Sequence, residues 1–147
     1  MSTSIAAAFA AIQARVAAQV TLPVRWQDDN NDLADEPSAF AYFELVTEAG
    51  SFIEIGGGRG ANRYRNYGEL HAYVFVPQGH GLAVGLTKAE AIAAAFRSWR
   101  ENGVSCEGAT VHPMGEGQQL APPGLNSAAG NYACVLVSIP LYFDQTA

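Results

Sequence analysis

Cysteine is scarce in this chain: Cys106 and Cys134 are the whole complement, and they show neither a C-x-x-C spacing nor a disulfide framework. A reduced compartment fits that usage. Long hydrophobic runs are missing too. The Ala-rich stretch from Ser4 to Ala11 is broken by Gln13 and Arg15, well short of the roughly 20 apolar residues that a membrane span requires. Its first basic residue, Arg15, follows the apolar run, whereas a signal peptide places basic residues ahead of it. The expectation is a cytosolic protein without a membrane segment. Basic residues are few, 8 Lys and Arg against 14 Asp and Glu, for a net charge of −6. A surface of that sign argues against broad, non-specific binding to nucleic acid, which needs Lys and Arg against phosphates, while leaving room for a local basic patch.

Catalytic signatures are missing as well. There is no G-x-S-x-G, and no Cys in a basic setting with a matched His. Gly56, Gly58 and Ala61 satisfy a loose G-x-G-x-x-A. A dinucleotide site needs a helix directly after those glycines, and Asn62 to Val76 reads as loop and strand instead. Asp28, Asn30 and Asp32 resemble the opening of a calcium loop, yet Leu33 and Ala39 stand where its Gly and Glu belong. His71, His80 and His112 have no ligand spacing with each other or with the cysteines. Glu44 and Glu54 are placed to face each other across a hairpin, which suits a surface pair better than acid–base work. No metal, cofactor or enzymatic activity is expected.

What is present is core material. Hydrophobic residues make up 49% of the 147, enough for one compact domain covering residues 1–147. Ile5, Phe9, Ile12, Val16 and Val20 fall on one arc of a helix over Ser4 to Val20, with Ser2, Thr3 or Ser4 as N-cap. Val24 to Trp26 reads as a short strand. Ala39 to Thr47 and Phe52 to Ile55 read as strands joined through Glu48 to Ser51 into a hairpin. Leu70 to Val76 alternates, with Leu70, Ala72, Val74 and Val76 on one face. Thr87 and Glu90 form a T-x-x-E capping box for a second helix with Ala89, Ile92, Phe96 and Trp99 inward, stopped by Asn102-Gly103. A strand near Gly108 to His112 and a long closing strand, Tyr132 to Phe143, complete an order α-β-β-β-β-α-β-β. This predicts an α+β fold, a mostly antiparallel sheet with two helices packed on it.

Two segments stand apart. Residues 56–67 read as a flexible Gly/Arg hairpin loop in which Arg59, Arg63 and Arg65 cluster with Tyr64 and Tyr67. Arg and Tyr carry binding energy at interfaces, so Arg59, Asn62, Arg63, Tyr64, Arg65 and Tyr67 are candidate interface residues; a solvated loop with incidental charge is the competing reading. Residues 113–130, rich in Gly, Pro, Gln, Asn and Ser, read as a long flexible loop, and Gln118, Gln119, Leu120, Leu125 and Asn126 are a second candidate interface.

The order of these elements resembles the tail-terminator (tail-completion, neck) proteins of long-tailed bacteriophages. Val24-Arg25-Trp26 resembles the short strand ending in Trp that follows the family's first helix, and Pro37 precedes the strand Phe40-Ala41-Tyr42-Phe43-Glu44-Leu45. Tyr73-Val74-Phe75-Val76-Pro77-Gln78-Gly79 is similar to its strand and Pro-Gly turn, followed by a helix ending near Phe96-Arg97. The run Val137-Ser138-Ile139-Pro140-Leu141-Tyr142-Phe143-Asp144 matches best. The segment 113–130 is longer than the family pattern. The resemblance implies a structural virion protein of the tail and neck, assembled in the host cytoplasm. It would be a homo-oligomeric ring, usually hexameric, that caps the tail tube, stops its elongation and offers a head-tail joining surface. Its partners would be the tail tube protein and a head-tail connector or stopper protein, with nucleic acid only as DNA passing through the ring. A head-side stopper that binds the portal, and a small ligand-binding domain or enzyme, are the alternatives.

Overall fold

Ser4 starts the first helix, α1 (Ile5–Gln19): its hydroxyl accepts the Ala7 N–H at 3.1 Å, matching one of the donors a helix start leaves open. Ser4→Ala is expected to cost about 1 kcal/mol of unfolding free energy, read by urea titration. The computed structural model describes residues 2–27, 39–48, 50–54, 56–77, 79, 81–114 and 132–147. The remaining elements are β1 (Val24–Trp26), β2 (Phe40–Thr47), β3 (Ser51–Glu54), β4 (Arg63–Pro77), α2 (Leu82–Phe96), β5 (Arg100–Glu101), β6 (Val104–Cys106), β7 (Thr110–Pro113) and β8 (Tyr132–Thr146). They form the expected α+β fold. One open, 8-stranded sheet runs β1-β2-β4-β8-β6-β5, with β3 beside β2 on β4 and β7 beside β6 on β8. Only β1 on β2 is parallel.

The spine is the β4–β8 ladder, paired from Arg63↔Thr146 to Pro77↔Tyr132. Strand alternation puts Leu70, Ala72, Val74 and Val76 on one face with Val135, Val137, Ile139, Leu141 and Phe143. Both helices pack on that face, forming one core with Ala41, Phe43, Ile12 and Phe96. Arg15 ties the helices together, donating from Nε and a terminal nitrogen to the Ala95 carbonyl at 2.9 and 2.8 Å. The buried stripe of α1 is Ala8, Ala11, Ile12 and Val16, while Ile5, 50% exposed, lies off it. The small alanines carry the contact that larger residues were expected to make. No described helix is long and apolar enough to cross a membrane.

Several local expectations are corrected. β3 does not pair with β2; both lie along β4. Thr47 stands opposite Gly68 and Ser51 opposite Arg65, so four steps on one side match three on the other. The Glu48 N–H still donates to the Tyr67 carbonyl at 2.9 Å. β2 and β3 therefore follow one another along the same edge of β4 and do not face each other as a hairpin; the register shift on that edge lies between Phe52 and Glu54. The turn is the glycine segment, where Gly58 and Gly60 take φ of 76° and 91° and the Ala61 N–H closes on the Gly58 carbonyl at 3.0 Å. Residues 63–67, expected in the loop, belong to β4.

The second helix begins at Leu82, five residues before Thr87, with Gly81 as cap. Thr87 caps nothing; its hydroxyl donates back to the Ala83 carbonyl at 2.8 Å. Packing pulls the start upstream, because Gly85 is buried with Val135 and Val76 against it. Nor does Asn102-Gly103 end the helix. It is the two-residue turn of the β5–β6 hairpin, with φ of 52° and 84°, the conformation such a tight hairpin demands. The chain leaves the helix at Arg97, and Ser98 takes the left-handed conformation, φ 58°. β5 and β6 are thus two strands more than the expected order contains.

Both cysteines are buried, and burial pushes each thiol up to about 12. Neither is expected to react with a disulfide reagent at pH 8 until denaturant is added, when both should. Fast labelling of the native protein would contradict this placement.

Candidate functional site: the second face of the sheet

Period-two alternation sends every other side chain of β2, β4 and β8 to the face away from the helices. At one end Phe40, Phe75, Tyr132 and Cys134 form a small apolar cluster, with Tyr42, Tyr73 and Met114 packed on it. Burial, then the Glu44 charge, raises the Tyr73 phenol above its ordinary value. Beyond this cluster no described helix covers the face.

In the middle, the His71 ring lies between two carboxylates, 3.7 Å from Glu44 and 3.3 Å from Glu69. The Ser138 hydroxyl donates to Glu69 at 3.1 Å. Glu44 stands opposite His71 and Glu54 opposite Arg63, so the two glutamates expected to face each other do not. Next to them a shallow hollow of about 270 Å³ is lined by Val46, Glu48, Tyr67, Glu69 and Pro140, among others. No cluster of metal-ligating side chains occurs among the described residues.

At the far end lies a cation–carboxylate group. Arg65 holds Asp144 with two bonds, Nε to Oδ1 at 2.8 Å and a terminal nitrogen to Oδ2 at 3.0 Å. Arg63 reaches Oδ2 at 2.8 Å and Glu54 at 3.2 Å. The Arg65 guanidinium also lies over the Tyr142 ring, 4.2 Å from its centre. The Arg65 hydrogen bonds, with Arg63 adding to them, hold the Asp144 carboxyl below the usual carboxylate range; the same bond raises Arg65.

The six candidate residues of the first loop therefore do not form one patch. Arg63, Arg65 and Tyr67 share this face, and Tyr67 is 45% exposed. Tyr64 points to the other side, its ring 4.2 Å from that of Phe52. Asn62 closes the turn: its side-chain oxygen accepts the Gly56 N–H at 3.4 Å and its carbonyl accepts the Ala147 N–H at 2.9 Å. Arg59 is exposed at the tip. The charge expected of three arginines is reduced to that of Arg59, because Asp144 and Glu54 answer the other two. Gln118, Gln119, Leu120, Leu125 and Asn126 lie outside the described residues. Asp144, Tyr142, Glu44 and Glu69 were missed as members of the face, although alternation along the closing strand puts Tyr142 and Asp144 opposite the apolar side.

No family model matches the chain, and no curated protein does. Nine chains of solved structures match it. One of them, whose name states no function, is 18% identical over 98% of this chain and 97% of that one, with a TM-score of 0.62. At that identity the likeness is one of fold: the same α+β architecture from end to end.

Proposed function

We propose that this chain is a structural subunit of a long-tailed phage particle, a tail terminator that closes into a ring on the tail tube. The observation that carries the reading is the arm built from β3, β4 and β8. It ends in a glycine turn and presents Phe52 and Ile53, 52% and 38% exposed, to solvent. Exposed apolar side chains on well-paired strands suit contact with another chain. The adjoining face has a shallow hollow in place of a deep, polar-converging pocket, which suits docking better than turnover. The resemblance of Val137 to Asp144 and of the Phe40 to Leu45 strand to the tail-terminator pattern adds to this. The ring would join copies of the chain by heterologous contacts, meet the tube protein below and a connector above, and let DNA pass through its centre.

Negative-stain electron microscopy of the concentrated protein, alone and with tail tubes, tests it. Rings or caps on tube ends are expected. Particles that remain monomeric and ignore tubes would sink the reading. Overlong tubes on gene deletion separate a terminator from a head-side stopper, whose loss leaves normal tails detached from full heads.

A further inference from the structure

The hollow beside Glu69 has the chemistry of an arginine receptor. Glu48 and Glu69 supply two carboxylates, Tyr67 an exposed aromatic ring, Val46 and Pro140 apolar walls, and no basic residue lines it. A guanidinium gains most where it can meet carboxylates and an aromatic ring together.

The chain itself offers a matching group. Arg15 is occupied by the Ala95 carbonyl, Arg63 and Arg65 by Asp144, and Arg97 by Glu90, and Arg25 has partners of its own. Arg100 is exposed but lies in the two-residue edge strand β5, away from the arm. Arg59 is exposed at the arm's tip and has no ion pair among the described residues, and the same arm carries the exposed Phe52 and Ile53. It cannot serve its own hollow. β4 rises about 3.3 Å per residue, so Tyr67 and Glu69 lie roughly 13–20 Å beyond Arg63, with the tip on the far side of Arg63. One side chain does not cover that span.

We infer that the tip of one copy seats Arg59 in the Val46–Glu48–Tyr67–Glu69 hollow of a second copy. Tip and hollow are different surfaces of the same chain, so the contact is head-to-tail and closes into a ring where its rotation allows. The inference rests on the ring reading and names the surfaces that would make it.

Charge exchange tests it. Arg59→Glu alone, and Glu48→Lys with Glu69→Lys, are each expected to raise the concentration for half-assembly by on the order of tenfold or more. Assembly is followed by sedimentation velocity over a concentration series and by electron microscopy with tail tubes. The three substitutions combined in one chain recreate the pair with signs reversed and should restore most of the assembly. Circular dichroism melts of each variant keep a folding defect separate. Wild-type rings that are indifferent to Arg59→Glu, or a combined variant that stays as weak as the singles, overturn this contact and leave the ring reading standing. Rescue in an oligomer that is not a ring upholds the contact and removes the ring. Tube binding that needs Arg59 while self-association does not would assign the tip to the tube, against this inference.

Discussion

Phe43→Ala should lower the unfolding free energy by about 3–5 kcal/mol, a large part of the roughly 5–15 kcal/mol that holds a typical domain together. Phe43 is 0% exposed in the main core. Its ring lies 5.1 Å from that of Trp26, which lies 5.1 Å from Phe9 at 82°. It thus links β2 through β1 to α1, and removing it opens a cavity that backbone strands on both sides cannot close. The melting temperature should drop by about 10 °C or more. Phe52→Ala, at an exposed site, should cost much less. A urea titration showing under 1 kcal/mol for Phe43→Ala would mean that this layer is not packed as described.

Asp144→Asn is the second large effect, about 1–3 kcal/mol at pH 7, because it leaves two guanidiniums facing an amide. Its pH dependence is distinctive. The folded carboxyl titrates below its ordinary value, so its contribution is complete above the unfolded value of about 3.9 and is lost as pH falls from there through the folded one. The gap between wild type and variant should stay constant from pH 7 to 5 and shrink below 4. Urea midpoints at pH 7, 5, 4 and 3 check this. A gap unchanged at pH 3 would show that the charge of Asp144 contributes nothing.

The parts of the fold that could be read in advance are those where one face is buried along a whole element. The alternation of Leu70 to Val76, and of Val135 to Phe143, is sharp because β4 and β8 each bury one side against the helices. Local chemistry misleads where it has two uses. The turn residues around Gly50 suggest a hairpin, but β4 is long enough to pair with β2 and β3 in succession, so the two strands share its edge. Asn102-Gly103 suits a helix stop or a tight hairpin, and the pairing of Arg100 with Ser105 selects the hairpin. Thr87 and Glu90 have the spacing of a capping box, but the burial of Gly85 extends the helix past them. The arginine cluster was visible as composition. Its neutralisation by Asp144 was not, because about 80 residues separate partners that only the sheet register brings together.

That register also dictates the order in which the molecule can come together. β8 is the last strand in chain order, yet it is the middle of the sheet, flanked by β4 on one side and β6 and β7 on the other. Until it is made, β4 has one unpaired edge, and the β5–β6 hairpin and β7 have nothing to lie against. Without β8 the strands fall into a β1-to-β4 group, the β5–β6 hairpin and an unpaired β7. β4 and β8 must meet across the whole second helix and the strands that follow it, from the near pair Pro77 and Tyr132 to the far pair Arg63 and Thr146, so the spine of the sheet is a long-range contact. The second face and the arm are both built on that ladder, so neither surface exists before β4 and β8 have paired.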